Sequence, residues 1–398
     1  MKYDFTTVVD RTGKDAMAVD LYPKMHPGCP KEGFDVIPMW VADMNFATAP
    51  TIVEAMKQRL DHPFFGYFSA RQELYDGIIR WQKERNGVDI TRDDIAFDNG
   101  VLGGVTSALN VFCSKGDHVL VHSPTYVGFS GLMKNNGYDP VLSELKQDEK
   151  GVWRMDFDDM EEKIKKNKVH AAIFCSPHNP TGRVWEQWEL ERFSQLCEKY
   201  SVNVVSDEIW SDIIMPGFKH IPTQSATGYL KEHTVACYSP TKTFNLAGFQ
   251  ESYRLVYNQA LRDRVAKEAS LSHYNALNIM SMYAHIGACT DCGMEWVDEL
   301  CSVLGHNTSI MTDYLCSVDG LSAEKPQGTY LVFVDCSGYC KRTGKTLDEL
   351  LERCWDVGVG LQDGRGFHGP CHMRINTALP TSRIEEAIDR LKKYVFTE

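Results

Sequence analysis

Apolar residues recur at helical spacing over 69–87 and the stretch closes on Gly87, which predicts a helix with a glycine stop. A short strand is expected at 94–97 and a helix at 101–112. The alternation continues with a strand at 117–122, a helix at 126–136, a strand at 171–175, a helix at 186–200, and strands at 202–206 and 234–238. Ala-Ala-Ile-Phe-Cys at 171–175 is an unbroken apolar run, the signature of a parallel strand covered on both faces. Past about residue 258 long helical stretches take over, at 259–272, 279–288 and 295–317. Strands at 329–334 and 372–376 and helices at 347–357 and 383–395 follow. No repeat or Pro/Gly/Ser linker divides the chain. The expected class is therefore α/β: a large three-layer α/β/α domain with a mostly parallel sheet over 48–285, plus a small α+β domain built from 1–47 and 286–398.

Composition narrows the partners more than the fold. The 398 residues are 43% hydrophobic and 24% charged, ordinary globular values. Lys plus Arg number 42 against 54 Asp plus Glu, so the net charge of −12 has the wrong sign for coating a phosphate backbone, and no nucleic acid is expected. The first residues hold no apolar run of signal-peptide length and nothing later approaches a membrane span, so a cytoplasmic protein without membrane partners is expected. Thirteen Cys without a small-domain framework read as free thiols. Cys289 and Cys292 form one C-x-x-C but lack the second pair of a structural zinc site, and Cys336 with Cys340 has another spacing, so no metal is expected.

In open α/β sheets ligands sit beyond the carboxyl ends of the strands. Asn99-Gly-Val-Leu-Gly-Gly104 follows one predicted strand and opens a helix; Ser123-Pro-Thr-Tyr126, Ser176-Pro-His-Asn-Pro-Thr-Gly182, Ser206-Asp-Glu-Ile-Trp210 and Ser239-Pro-Thr-Lys-Thr-Phe-Asn245 follow four others. Each alone reads as a turn or a cap. Together they match the needs of pyridoxal 5'-phosphate. That cofactor requires a lysine amine, and Lys242 sits in a Ser/Thr-rich turn at a strand end, away from the charged helical faces that hold most other lysines. Asp207 is placed to keep the pyridine nitrogen protonated, the helix start at Gly100, Val101 and Leu102 to hold the phosphate on free amides, and Tyr126 to stack on the ring.

These motifs resemble those of fold-type I pyridoxal phosphate enzymes of the aminotransferase class I/II superfamily, over nearly the whole chain. Pro38-Met-Trp-Val-Ala-Asp-Met-Asn-Phe46, His62-Pro-Phe-Phe-Gly-Tyr67 and Lys242-Thr-Phe-Asn-Leu-Ala-Gly-Phe-Gln250 are most similar to the MalY/PatB-type cystathionine β-lyases, or C–S lyases. The resemblance implies that Lys242 is the Schiff-base lysine, Asp207 the partner of the ring nitrogen, Asn179 the donor to the ring hydroxyl oxygen and a substrate neighbour, and Tyr126 the stacking residue. Ser239, Thr241 and the Val101 and Leu102 amides would hold the phosphate. Tyr67 would reach that phosphate from the neighbouring subunit of a homodimer, Ala42 would adjoin the substrate, and Arg374 would grip its α-carboxylate. A guanidinium suits that last role, because it forms two parallel hydrogen bonds that lysine cannot. Phe64, Phe65 and Phe68 around Tyr67 are expected in the core or a dimer interface.

The chain also departs from its relatives. Gln250 stands where many aminotransferases of this fold place a phosphate-binding arginine, as in the C–S lyase subgroup; Trp210 stands where many carry Tyr or His, and Asn45 where the subgroup usually shows Asp. The implied reaction is β-elimination of cystathionine or a related cysteine S-conjugate to a thiol, pyruvate and ammonia. An aminotransferase shares every step up to loss of the Cα proton and is the alternative; a second arginine for a distal carboxylate would favour it. A partner-binding regulatory protein with a secondary cofactor site is a further alternative, which the joint presence of Lys242, Asp207, Asn179 and Arg374 argues against.

Overall fold

Eight strands form the large sheet: β1 (Ile95–Asn99), β2 (His118–Ser123), β3 (Asp139–Gln147), β4 (Trp153–Met155), β5 (Ala171–Cys175), β6 (Asn203–Asp207), β7 (Thr234–Tyr238) and β8 (Glu251–Leu255). They come from a computed structural model that describes residues 1–272 and 275–397. The spatial order is β1-β8-β7-β6-β5-β2-β3-β4. Pairings from β3 through β7 are parallel, whereas β8 runs against both its neighbours and β4 against β3. Every residue of β5 and β7 is buried, the covering on both faces that their apolar runs predict. Helix Val101–Phe112 and β2, β5, β6 and β7 share one apolar cluster around Val105, Val121 and Val235.

The sequence pattern locates the central strands within one or two residues and misses β3, β4 and β8. In β8, Glu-Ser-Tyr-Arg-Leu is fully buried although three of its residues are polar. Two of them are satisfied by partners distant in sequence. Arg254 pairs with Asp98 and Glu251 with His285 Nδ1 at 2.5 Å. β3 and β4 lie at the sheet edge with mixed exposure. The long helix Asp291–Ser317 starts earlier than expected, capped by Thr290 Oγ1, which accepts from the Gly293 amide at 3.0 Å.

A second, antiparallel sheet contains β9 (Ser322–Ala323), β10 (Leu331–Asp335), β11 (Gln362–Asp363) and β12 (His372–Asn376) in the order β9-β10-β12-β11. Ile37–Pro38 pairs with Val359–Gly360, and Ile37 and Met39 enter the apolar cluster of Val332, Met373 and Ile375. The early chain thereby joins the apolar core of the C-terminal unit through a separate two-stranded sheet. Among the described residues no helix is long and apolar enough to cross a membrane. One expectation is narrowed to its second alternative, a dimer interface. Phe64, Phe65 and Phe68 are no part of this chain's core: Phe64 is 70% and Phe65 55% exposed, on an irregular segment between helices Pro50–Leu60 and Gln72–Asn86. That segment has too few contacts within the chain to cover its rings.

Helix Pro50–Leu60 packs against helix Ile279–Ala288 at Gly287, where an added Cβ would stand 2.6 Å from the Thr51 carbonyl oxygen and 2.7 Å from Ile52 Cα. Backbone cannot yield there as a side-chain tip can. Gly287→Ala is expected to cost about 1–3 kcal/mol of stability, read as a lowered denaturant midpoint; an unchanged midpoint would show that the two helices move apart freely.

Candidate functional site

The carboxyl ends of β1, β2, β5, β6 and β7 open into a cleft of about 890 Å³ that also touches the second sheet. Each strand contributes through the turn that follows it. After β1, Gly100 adopts φ of +77°, a left-handed backbone suited to glycine, and turns the chain into helix Val101–Phe112. The first helical bonds there run from Gly103 and Gly104 to the Gly100 carbonyl, so the Val101 and Leu102 amides precede them at the positive end of the helix dipole. After β2 comes Tyr126, after β5 Asn179, and Asp207 closes β6. Lys242 sits in the single turn Pro240–Thr243 after β7.

Lys242 Nζ donates to the Ala42 carbonyl oxygen at 2.6 Å and lies 5.8 Å from the centre of the Trp210 ring. Burial, then the charge of Arg374, pull its pKa down to about 8, against the opposing pull of Asp43 and Asp207. Asp207 is buried at the strand end, accepts from the Ile209 amide at 3.1 Å, and is pushed up to about 7 by burial. Arg374, on β12, donates to Asn179 Oδ1 at 3.3 Å and to the Trp40 carbonyl at 3.1 Å, and its guanidinium lies 4.3 Å from the centre of the Phe367 ring. Its Nε is buried with no partner among the described residues, and burial lowers its pKa to about 10, so it stays cationic at neutral pH. Burial likewise raises the Tyr126 phenol.

The cleft thus joins Lys242, Asp207, Asn179, Tyr126, Gly100, Val101, Leu102, Thr241, Ala42 and Arg374. Two predicted residues stand outside it. Ser239 caps the lysine turn: its hydroxyl donates to the Glu251 carbonyl at 2.6 Å and meets Thr241 Oγ1 at 2.7 Å. Tyr67 is fully exposed on the irregular segment. Gln250 lines the cleft in a left-handed conformation, φ +52°, and Trp210 is buried edge-on against Tyr330 with ring centres 4.8 Å apart.

Sequence reasoning missed the strap 40–46 as a unit and the arm residue Arg11. Carbonyls of the strap are taken by side chains from several directions: Trp40 by Arg374, Val41 and Asp43 by Asn376, Ala42 by Lys242, Met44 and Phe46 by Asn245. Arg11 pairs with Asp43 at 2.9 Å and donates to the Met44 carbonyl and Asn45 Oδ1. Asp43 and Asn45 could be read only as parts of a motif, because a partner 32 and 34 residues away leaves no local signal.

Comparison with known proteins identifies the family. A family model described as aminotransferase class I and II matches residues 35–391. Cystathionine β-lyase PatB of Bacillus subtilis is 33% identical over 362 residues, covering 90% of this chain and 92% of that protein. The crystal structure of cystalysin from Treponema denticola, which contains a pyridoxal 5'-phosphate cofactor, superposes with a TM-score of 0.90 at 31% identity, covering 98% of both chains. The pyridoxal phosphate-bound C–S lyase of Staphylococcus hominis gives 0.89 at 28% identity, covering 100% of this chain and 99% of that one.

The lowered lysine sets a pH window. Only the neutral amine is a nucleophile, so trinitrophenylation of Lys242 in the cofactor-free protein, taken as wild type minus Lys242→Ala, should climb through about pH 8. An inflection near the ordinary lysine value of about 10.4 would show that the amine is solvated.

Proposed function

Because the chain belongs to the aminotransferase class I and II family, we propose that it is a pyridoxal phosphate-dependent C–S lyase that cleaves cystathionine or related cysteine S-conjugates to a thiol, pyruvate and ammonia. The observation that carries this reading is the meeting of Lys242, Asp207 and Arg374 in one cleft of a chain so similar to a cystathionine β-lyase. The residues suit the cofactor. Burial lifts the pKa of the Asp207 carboxyl to about 7 despite the charge of Lys242, and a cationic ring nitrogen is the partner that restores its ionised form. The Val101 and Leu102 amides and Thr241 offer donors for a phosphate, Tyr126 a face for the ring and Asn179 a polar contact at its edge.

When bound, pyridoxal phosphate supplies the electron sink that makes the substrate Cα proton removable. Arg374 holds the α-carboxylate and so fixes the plane of Cα. Lys242, its pKa already near 8, takes the Cα proton onto Nζ as general base. The Ala42 carbonyl keeps that amine in place. The thiolate then leaves from Cβ, and water completes the conversion to pyruvate and ammonia.

The same reading extends to assembly. The exposed Phe64, Phe65, Tyr67 and Phe68 support a homodimer in which this segment is covered by the second copy and Tyr67 reaches its cleft. The division into a large unit over 48–285 and a small unit from the two ends rests on the separate apolar clusters of the two sheets. Thirteen free cysteines support a reducing, cytoplasmic setting.

With L-cystathionine and no keto acid, the cofactor-loaded protein should release pyruvate and ammonia over many turnovers. One equivalent per site of the substrate's own keto acid, without ammonia or pyruvate and with further turnover only on adding a keto acid, would make it an aminotransferase. Lys242→Ala should lower turnover by at least about 10²–10⁴-fold. Arg374→Lys, which keeps the charge and loses the fork, should lower kcat/KM about 10–100-fold, mainly through KM; an unchanged KM would place the α-carboxylate elsewhere.

A further inference from the structure

The Arg11–Asp43 pair lines the same cleft as Lys242 and Arg374, with only about a fifth of each side chain exposed. A partly exposed pair of this kind contributes little to stability. Its hydrogen bonding is incomplete in a specific way. Of the five N–H groups of Arg11, three are used, toward Asp43 Oδ2, the Met44 carbonyl and Asn45 Oδ1. Two, the Nε one among them, have no partner among the described residues, and neither does Asp43 Oδ1. Asn45 accepts without adding a second negative charge.

The position fits a substrate held at Arg374. Trp40, whose carbonyl accepts from Arg374, lies three residues before Asp43, so their Cα atoms are at most about 11 Å apart. The charge of Asp43 is felt at Lys242 and at Tyr330 beside Arg374. A bare distal carboxylate at Arg11 would be repelled by Asp43, and a bare distal ammonium at Asp43 by Arg11. A group that carries both charges satisfies both residues.

Resting on the lyase reading above, we propose that Arg11 and Asp43 form a distal subsite for the zwitterionic end of a substrate such as cystathionine. Its carboxylate lies on the free N–H groups of Arg11 and its ammonium on Asp43 Oδ1. The pair selects substrates with an amino-acid group at both ends over plain S-alkylcysteines, and over dicarboxylic acids. Nothing in this role involves bond making, and because the charge of Asp43 is also felt at Lys242 for every substrate alike, the subsite shows in the ratio between substrates.

The test compares kcat/KM for L-cystathionine and for S-methyl-L-cysteine, which shares the reacting half and lacks the distal one, in the cofactor-loaded protein. The cystathionine-to-S-methylcysteine ratio should fall about tenfold or more in Arg11→Gln and in Asp43→Asn. Arg11→Lys should recover part of it. A ratio unchanged in both variants, whether the two values stay put or fall together, overturns the subsite and leaves Arg11 as an anchor of the strap. If the wild type releases pyruvate from neither compound, the lyase reading fails by itself. The same ratio, then taken from dissociation constants by calorimetry, still decides the role of the pair.

Discussion

The site depends on a hydrogen bond between the Lys242 amine and the backbone carbonyl of Ala42. Lys242 and Arg374 are two cationic groups buried in one cleft, an arrangement opposed by both desolvation and mutual repulsion. The strap 40–46 offsets it with backbone dipoles: the Trp40 carbonyl faces Arg374 and the Ala42 carbonyl faces Lys242. Because Asn376 and Asn245 take further carbonyls of the strap from opposite sides, one irregular segment ties the lysine turn of the large sheet to β12 of the small one. Shifting the strap would displace the amine and the guanidinium together.

Burial also moves the two titrating groups toward each other on the pH scale. The carboxyl of Asp207 rises to about 7 and the amine of Lys242 falls to about 8, so both lie where a proton can be gained or lost near neutrality. Neither group needs a special chemical neighbour for this, since desolvation is the leading cause for each. The apolar strands that end beneath them are therefore part of the chemistry. β5, β6 and β7 supply the dry floor, and the turns after them supply the polar groups.

What could be read in the sequence follows from the same division. Each central strand is an apolar run that stops abruptly at a turn rich in Gly, Pro, Ser or Thr, so Asn179, Asp207 and Lys242 announce themselves by position. β8 does not, because Glu251 and Arg254 are buried charges whose partners His285 and Asp98 lie far along the chain. Arg11 and Asp43 were hidden for that reason too, and the aromatic cluster at 64–68 left core and dimer interface undivided. Large rings usually mark a core, yet here they stand on a segment with nothing of its own chain to pack against. Local pattern reports burial on the mean and cannot report a partner.

Gln250 shows how charge is distributed when a usual cation is missing. It lines the cleft without a positive charge, so in the proposed enzyme the phosphate rests on the Val101 and Leu102 amides and Thr241, with the dipole of helix Val101–Phe112 supplying roughly half an elementary charge. Glu251 beside it is kept from opposing that charge by His285, whose pKa is pushed well above the usual histidine range mainly by this carboxylate, against the pull of burial. The proposed dimer completes the account, since a phenol from the partner's exposed segment adds one more neutral donor. In the proposed enzyme, a phosphate held by dipoles and hydroxyls in place of a guanidinium would leave Arg374 and the Asp43-paired Arg11, which line the same cleft, to the two ends of the substrate.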